Sequence, residues 1–128
     1  MNKGKDEDLQ MKNQRFGIEI EMTGLTRTKA AQVIADYFGT IATQSNTAKD
    51  RQGRTWSVKY DGSIRCQRKS RGQVVSEDSS YSVEVVSPIL VYSDIEDVQE
   101  IIRRLRKAGA FANTSCGIHY QKLEIIQS

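Results

Sequence analysis

The sequence predicts an α+β domain, an antiparallel or mixed β-sheet with two amphipathic helices packed on one face. Three observations carry this. Several short segments alternate between apolar and polar residues, the period of a half-buried strand. Two longer segments space their apolar residues by three and four, the period of a helix with one buried stripe. The resulting order, β-α-(β)-β-β-β-α-β, contains hairpin signals and no internal repeat, so both helices are expected on the apolar face of one sheet.

The chain has 128 residues and a mass of 14.5 kDa, the size of one domain. Hydrophobic residues make up 38% and charged residues 27%, enough for a core and too apolar for a disordered chain. Nine glycines against one proline exclude collagen-like and proline-rich classes. No apolar run reaches the length of a membrane span, and the polar N-terminus has no signal-peptide core. Cys66 and Cys116 are too few for a disulfide framework or a four-cysteine zinc site. A cytoplasmic protein with no membrane partner is the expectation.

Residues 1–14 mix charged and amide side chains with almost nothing to bury, and are expected to form a flexible arm ahead of a single domain over 15–128. Phe16, Ile18, Ile20 and Met22 alternate with Gly17, Glu19 and Glu21 in a first strand, which Thr23-Gly24 turns out of. Thr26 or Thr28 caps a helix to Phe38, with Ala30, Val33, Ile34, Tyr37 and Phe38 on its stripe and Gly39 as its stop. A short strand is expected near Thr40–Thr43 and a loop over Gln44–Gly53. Arg54 to Tyr60 alternates again, with Trp56, Val58 and Tyr60 together. Asp61-Gly62 is a two-residue hairpin signal, predicting a returning strand over Ser63–Arg68. A basic loop then leads through Val74-Val75 to the acidic Glu77–Ser80.

Tyr81, Val83 and Val85 alternate in a further strand, whose pairing Pro88 ends. Ser93 and Glu96 form a capping-box pattern for the second helix, with acidic residues in its first turn. Its stripe is Ile95, Val98, Ile102 and Leu105, and Gly109 stops it. A last strand is expected over Gly117–Ile125, with a bulge or a tail where its parity breaks after Tyr120.

Net charge is only +3, but its distribution is uneven. Residues 46–72 hold eight lysines and arginines against two aspartates, and residues 73–100 hold seven acids and no base. Arg65, Arg68, Lys69 and Arg71, with Arg103, Arg104, Arg106 and Lys107, make a candidate patch for a nucleic acid or an acidic partner. Solvated faces produce the same runs.

With the helices on the apolar face, the open face collects Glu19 and Glu21, then Asp61, Glu84 and His119. Carboxylates at i and i+2 of a strand project the same way about 7 Å apart, a spacing suited to Mg²⁺ and the phosphate oxygens it clamps. A polar open face needs no such role. Alternatively, Glu84 and His119 with a basic residue carry the general acid and base of a small ribonuclease. No P-loop, dinucleotide fingerprint or G-x-S-x-G motif is present.

An ordered series of motifs resembles the putative amidoligase family, relatives of glutamine synthetase and glutamate–cysteine ligase. It runs from Arg15-Phe16-Gly17-Ile18-Glu19-Ile20-Glu21-Met22-Thr23-Gly24 through Gly53-Arg54-Thr55-Trp56 and Asp61-Gly62-Ser63-Ile64. Val83-Glu84-Val85-Val86-Ser87-Pro88-Ile89-Leu90, Leu105-Arg106-Lys107-Ala108-Gly109-Ala110 and Cys116-Gly117-Ile118-His119 complete it. The resemblance implies a glutamine-synthetase-like half-domain binding Mg²⁺ and ATP and joining a small carboxylate to an amine through an acyl phosphate. By position it makes Glu19 and Glu21 metal and cofactor contacts, Glu84 a metal or catalytic residue, and His119 a catalytic residue near the nucleotide. Where the family has a second histidine, this chain has Gln121. The family's chains also continue well beyond the matching region, so this chain is expected to be a C-terminally truncated form with an incomplete catalytic site. A second reading follows from the family's presence in phages and mobile elements. On that reading this chain is expected to reuse the scaffold as an inhibitor of host defence, of anti-CRISPR type, that binds a protein or an RNA–protein complex through the basic patch.

Overall fold

The computed structural model describes residues 14–123, so the expected arm up to residue 13 and the end of the last strand lie outside the described residues. The α+β class holds. Among the described residues, six strands form one antiparallel sheet, two more form a separate hairpin, and two helices cover the apolar face.

β1 (Arg15–Met22) is the centre of the sheet because it is the longest alternating segment. β6 (Val83–Val86) and β7 (Leu90–Val91) pair successive parts of one side, and β8 (Ile118–Leu123) pairs the other. β3 (Thr55–Lys59) lies beside β6, and β2 (Thr47–Lys49) beside β3. Cross-strand partners share a face, so Ile20 and Val58 meet Val85, and Met22 meets Val83. These side chains, with Phe16 and Trp56, are buried under α1 (Arg27–Phe38) and α2 (Ile95–Lys107).

α1 follows its sequence signals closely. The Thr26 hydroxyl accepts the Lys29 N–H at 3.2 Å, and Gly39 ends the helix in the left-handed region at φ 71°. Its buried stripe is Ala30, Ala31, Ile34, Ala35 and Phe38, while Val33 and Tyr37 are only partly covered.

Several expectations are corrected. No strand forms over Thr40–Thr43, because Thr40 N–H still caps the helix at Ala35 C=O and Thr43 folds back onto Thr47. The strand lies instead at β2, inside the expected loop, where only Ala48 reaches the core. Asp61-Gly62 does not return a hairpin. The Asp61 carboxylate accepts the Ser63 N–H, the Ile64 N–H returns to Asp61 C=O, and β3 pairs with β6. The expected basic loop is itself a hairpin of β4 (Gln67–Ser70) and β5 (Gln73–Ser76). Arg71 and Gly72 both have positive φ, 51° and 80°, the geometry of a two-residue I′ turn.

Tyr81 sits in a 3₁₀ turn (Ser79–Tyr81) rather than in β6, and Tyr60 projects into solvent past β3. Past Pro88 the chain pairs again, as β7 against the start of β1. The Ser93–Glu96 box does not form: Tyr92–Asp94 is a 3₁₀ turn, and the Asp94 carboxylate accepts the Val91 N–H at 2.8 Å. Ile101 completes the buried stripe of α2 with Val98 and Leu105, while Ile102 packs against it partly buried and Ile95 is exposed. The register of β8 against β1 runs without a bulge from Ile118 to Leu123.

Candidate functional site

The open face of the sheet is fixed by the same alternation that buries the other. Glu21 stands opposite Glu84 across β1 and β6, and Lys59 follows Glu84 on β3. On the other side of β1, His119 of β8 stands opposite Glu19. Asp61, two residues beyond Lys59, reaches the same place by a different device. The buried Ser82 hydroxyl accepts the Asp61 N–H at 2.9 Å and donates to the Asp61 C=O at 2.7 Å, holding the turn above Glu84.

The result is a group of three carboxylates, Glu21, Asp61 and Glu84, with one oxygen from each lying within 4.8 Å of the others. Glu21 is 8% exposed; its Oε1 accepts the Gly117 N–H at 2.8 Å and lies 3.5 Å from His119 Nε2. A Cβ at Gly117 would meet the same oxygen at 3.4 Å, an ordinary contact. Burial pushes the Glu84 carboxyl above its ordinary value, helped by the Asp61 contact and by the charges of Glu19, Asp61 and Glu21. Asp61 moves the other way: the Ser63 hydroxyl and N–H hold it well below the usual carboxylate range, with Glu21 and Glu84 lowering it further.

Glu21 and Glu84 thus come together with His119 at their side. Glu19 is exposed and lies outside the three-carboxylate group, further along the same face of β1. Asp61 is the residue that the candidate ligand set lacked. Its signal was in the alternation, because Ser57, Lys59 and Asp61 share a parity opposite to Trp56 and Val58, which placed Asp61 on the open face without making it a ligand. Oxygen donors alone, crowded enough to push one of them toward the protonated form, suit a hard divalent cation.

The basic residues are spread over two elements and mostly engaged locally. Arg65 donates to Thr114 Oγ1 at 3.2 Å, Arg68 pairs with Glu77 at 2.8 Å, and Lys69 lies over the Phe111 ring at 5.0 Å. Arg71 stands at the β4–β5 turn. Arg103 and Arg104 both pair with Glu100 of their own helix, at 3.1 Å and 3.2 Å, while Arg106 and Lys107 are exposed. Among the described residues, no helix is long and apolar enough to cross a membrane.

Residues 12–121 match a family model described as putative amidoligase enzyme, a span that takes in Glu19, Glu21, Asp61, Glu84 and His119. Neither the curated proteins nor the solved structures give a match.

Proposed function

The chain belongs to the putative amidoligase enzyme family, and from that premise we propose that its open sheet face joins a carboxylate to an amine with Mg²⁺ and ATP. The observation that carries this reading is the convergence of Glu21, Asp61 and Glu84 within 4.8 Å on that face. These three side chains would hold the cation. Magnesium, when bound, supplies the positive charge that receives phosphate oxygens and offsets the charge developing in phosphoryl transfer.

The protein's own contribution is to hold the ligands before anything binds. Glu21 is oriented by the Gly117 N–H and by His119, and Asp61 by the Ser82 clamp. The Ser63 hydroxyl and N–H hold the Asp61 carboxyl well below the usual carboxylate range, which favours its ionised form. Ligands fixed on strands and a tight turn need little reorganisation, which is where electrostatic catalysis gains its advantage.

The test is a titration with Mn²⁺ as a paramagnetic stand-in, read by electron spin resonance, followed by ADP release in the presence of Mg-ATP. Mn²⁺ is expected to bind the wild-type chain, and Asp61→Asn and Glu84→Gln are each expected to weaken it at least tenfold, the scale of one charged contact. ADP release should require both a carboxylate and an amine. A chain that leaves free Mn²⁺ unchanged, or variants that bind it as well as wild type, would overturn the reading.

A further inference from the structure

Two stretches of the chain carry bases and no acid. Residues 62–76 hold Arg65, Arg68, Lys69 and Arg71, and residues 101–123 hold Arg103, Arg104, Arg106, Lys107 and Lys122. The acid-rich stretch 77–100 separates them in sequence. The fold brings them together again at the loop 111–115, after α2. The Arg65 N–H donates to Ser115 Oγ at 2.8 Å, and Asn113 Nδ2 donates to Arg65 C=O at 2.8 Å and to Gln67 Oε1 at 2.9 Å. Phe111 joins the hairpin to the helix: Lys69 Nζ lies 5.0 Å above its ring, and Arg106 lines one cleft with it.

Charge accumulates at this junction because its contacts are neutral. Arg65 reaches a hydroxyl and Lys69 a ring, so neither charge is cancelled. Arg71 at the β4–β5 turn, with Arg106 and Lys107 in the last turn of α2, is exposed, as are Arg65 and Lys69. Among the described residues none of these five pairs with a carboxylate, whereas Arg68 is taken by Glu77, and Arg103 and Arg104 by Glu100. Ala112, Asn113, Thr114 and Ser115, between the two groups of bases, are small or polar. They offer hydrogen bonds rather than the large apolar anchor at the centre of a protein–protein hot spot.

We propose that this surface, Arg65, Lys69 and Arg71 with Arg106 and Lys107 around the loop 111–115, binds the phosphodiester backbone of a single-stranded nucleic acid. Unpaired bases spread over a hairpin and a helix end match charges repeated along a chain, and each phosphate held releases counterions. A flexible strand can adjust its phosphates to bases fixed on separate elements. The inference goes beyond the ligase reading and shares no residue with the three-carboxylate group.

The experiment is a fluorescence-anisotropy titration of a labelled 20-nucleotide single-stranded RNA with the full chain over a series of salt concentrations. The slope of log K against log salt is expected to be about −3, since a single strand contributes about −0.7 per phosphate held. Lys69→Glu combined with Arg106→Glu should weaken binding by about tenfold or more and flatten the slope, and Arg71→Glu, at an exposed turn, should weaken it alone. Lys49→Gln, on β2 at the far edge of the sheet, should leave it unchanged. Single-stranded DNA of the same sequence should bind comparably, because phosphates are what is held. No binding at low salt, or an affinity indifferent to these charge reversals, overturns the inference. Polyglutamate that competes as well as unlabelled RNA also overturns it, and gives the surface to an acidic protein instead. Loss of Mn²⁺ binding in the titration above would overturn the ligase reading and leave this one standing.

Discussion

Arg54 holds two buried carboxylates at once. Its Nε donates to Asp50 at 2.8 Å, and its two terminal nitrogens donate to Asp94, each at 3.0 Å, tying the β2–β3 turn to the start of α2. Asp50 also accepts the Trp56 indole N–H at 3.1 Å. Burial raises the Asp50 carboxyl, but the N–H groups of Arg54, Trp56 and Gln52 outweigh it and hold the group below its ordinary value. Asp94 is lowered by Arg54 first, against burial. Arg54→Ala strips the partner from two carboxylates that are each 4% exposed, and is expected to cost about 3 kcal/mol in urea unfolding at neutral pH. The sign of the pH effect follows. Carboxyls lowered in the fold stabilise it above their unfolded value, about 3.9, and that stability is lost as pH falls through the folded values. The gap between wild type and Arg54→Ala should therefore narrow below about pH 4; a gap constant with pH would show that packing alone carries it.

Two glycines separate backbone conformation from packing at the scale of the elements. Gly24, at the exit from β1, has φ 96°, and a Cβ there would lie 2.2 Å from the Gly109 carbonyl oxygen and 2.7 Å from the Phe111 ring. Gly72, in the β4–β5 turn, has φ 80° with open space around it. Gly72→Ala is expected to cost about 1 kcal/mol for the left-handed backbone alone. Gly24→Ala adds a backbone collision and should exceed about 3 kcal/mol. Thermal melts of the two variants check this, and equal losses would mean that the junction between β1 and Phe111 gives way freely. Both helices, β1, β3, β6 and β8 were legible from hydrophobic period and caps. β2, β4, β5 and β7 were not. β4 and β5 bury none of their residues and β2 only Ala48, so their pairing leaves little apolar pattern to read. The Ser93–Glu96 box failed because Asp94, drawn inward by Arg54, took the entry to α2.

Across the whole molecule the sheet has one apolar face under the helices and one face where acids gather. Glu84 is the point where the second face costs stability. A carboxyl raised in the fold favours folding below its unfolded value, about 4.3, and loses that contribution as pH rises through the folded value. Glu84→Gln is thus expected to raise the melting temperature of the metal-free protein at neutral pH by a few degrees. The advantage should grow as pH rises above about 4.3. A midpoint that falls at every pH would show that the Glu84 charge is welcome without a cation. Together with the weaker Mn²⁺ binding of the same variant, this would separate a site kept for a ligand from one kept for the fold.

Alternation by itself determined which residues share each face: a side-chain period of two places Glu19, Glu21, Glu84 and His119 opposite the apolar residues of their strands. The helices, their stops and the order of motifs that marks the family were likewise local properties of the chain. Only the tertiary structure decided which of those acids converge. Register brought Glu84 beside Glu21, and the Ser82 clamp brought Asp61 over both, while Glu19 was left outside that group. The physical reason is range. Period and capping act within a few residues, whereas Glu21 and Asp61 are 40 residues apart in sequence and meet only because strands β1, β6 and β3 are hydrogen-bonded side by side.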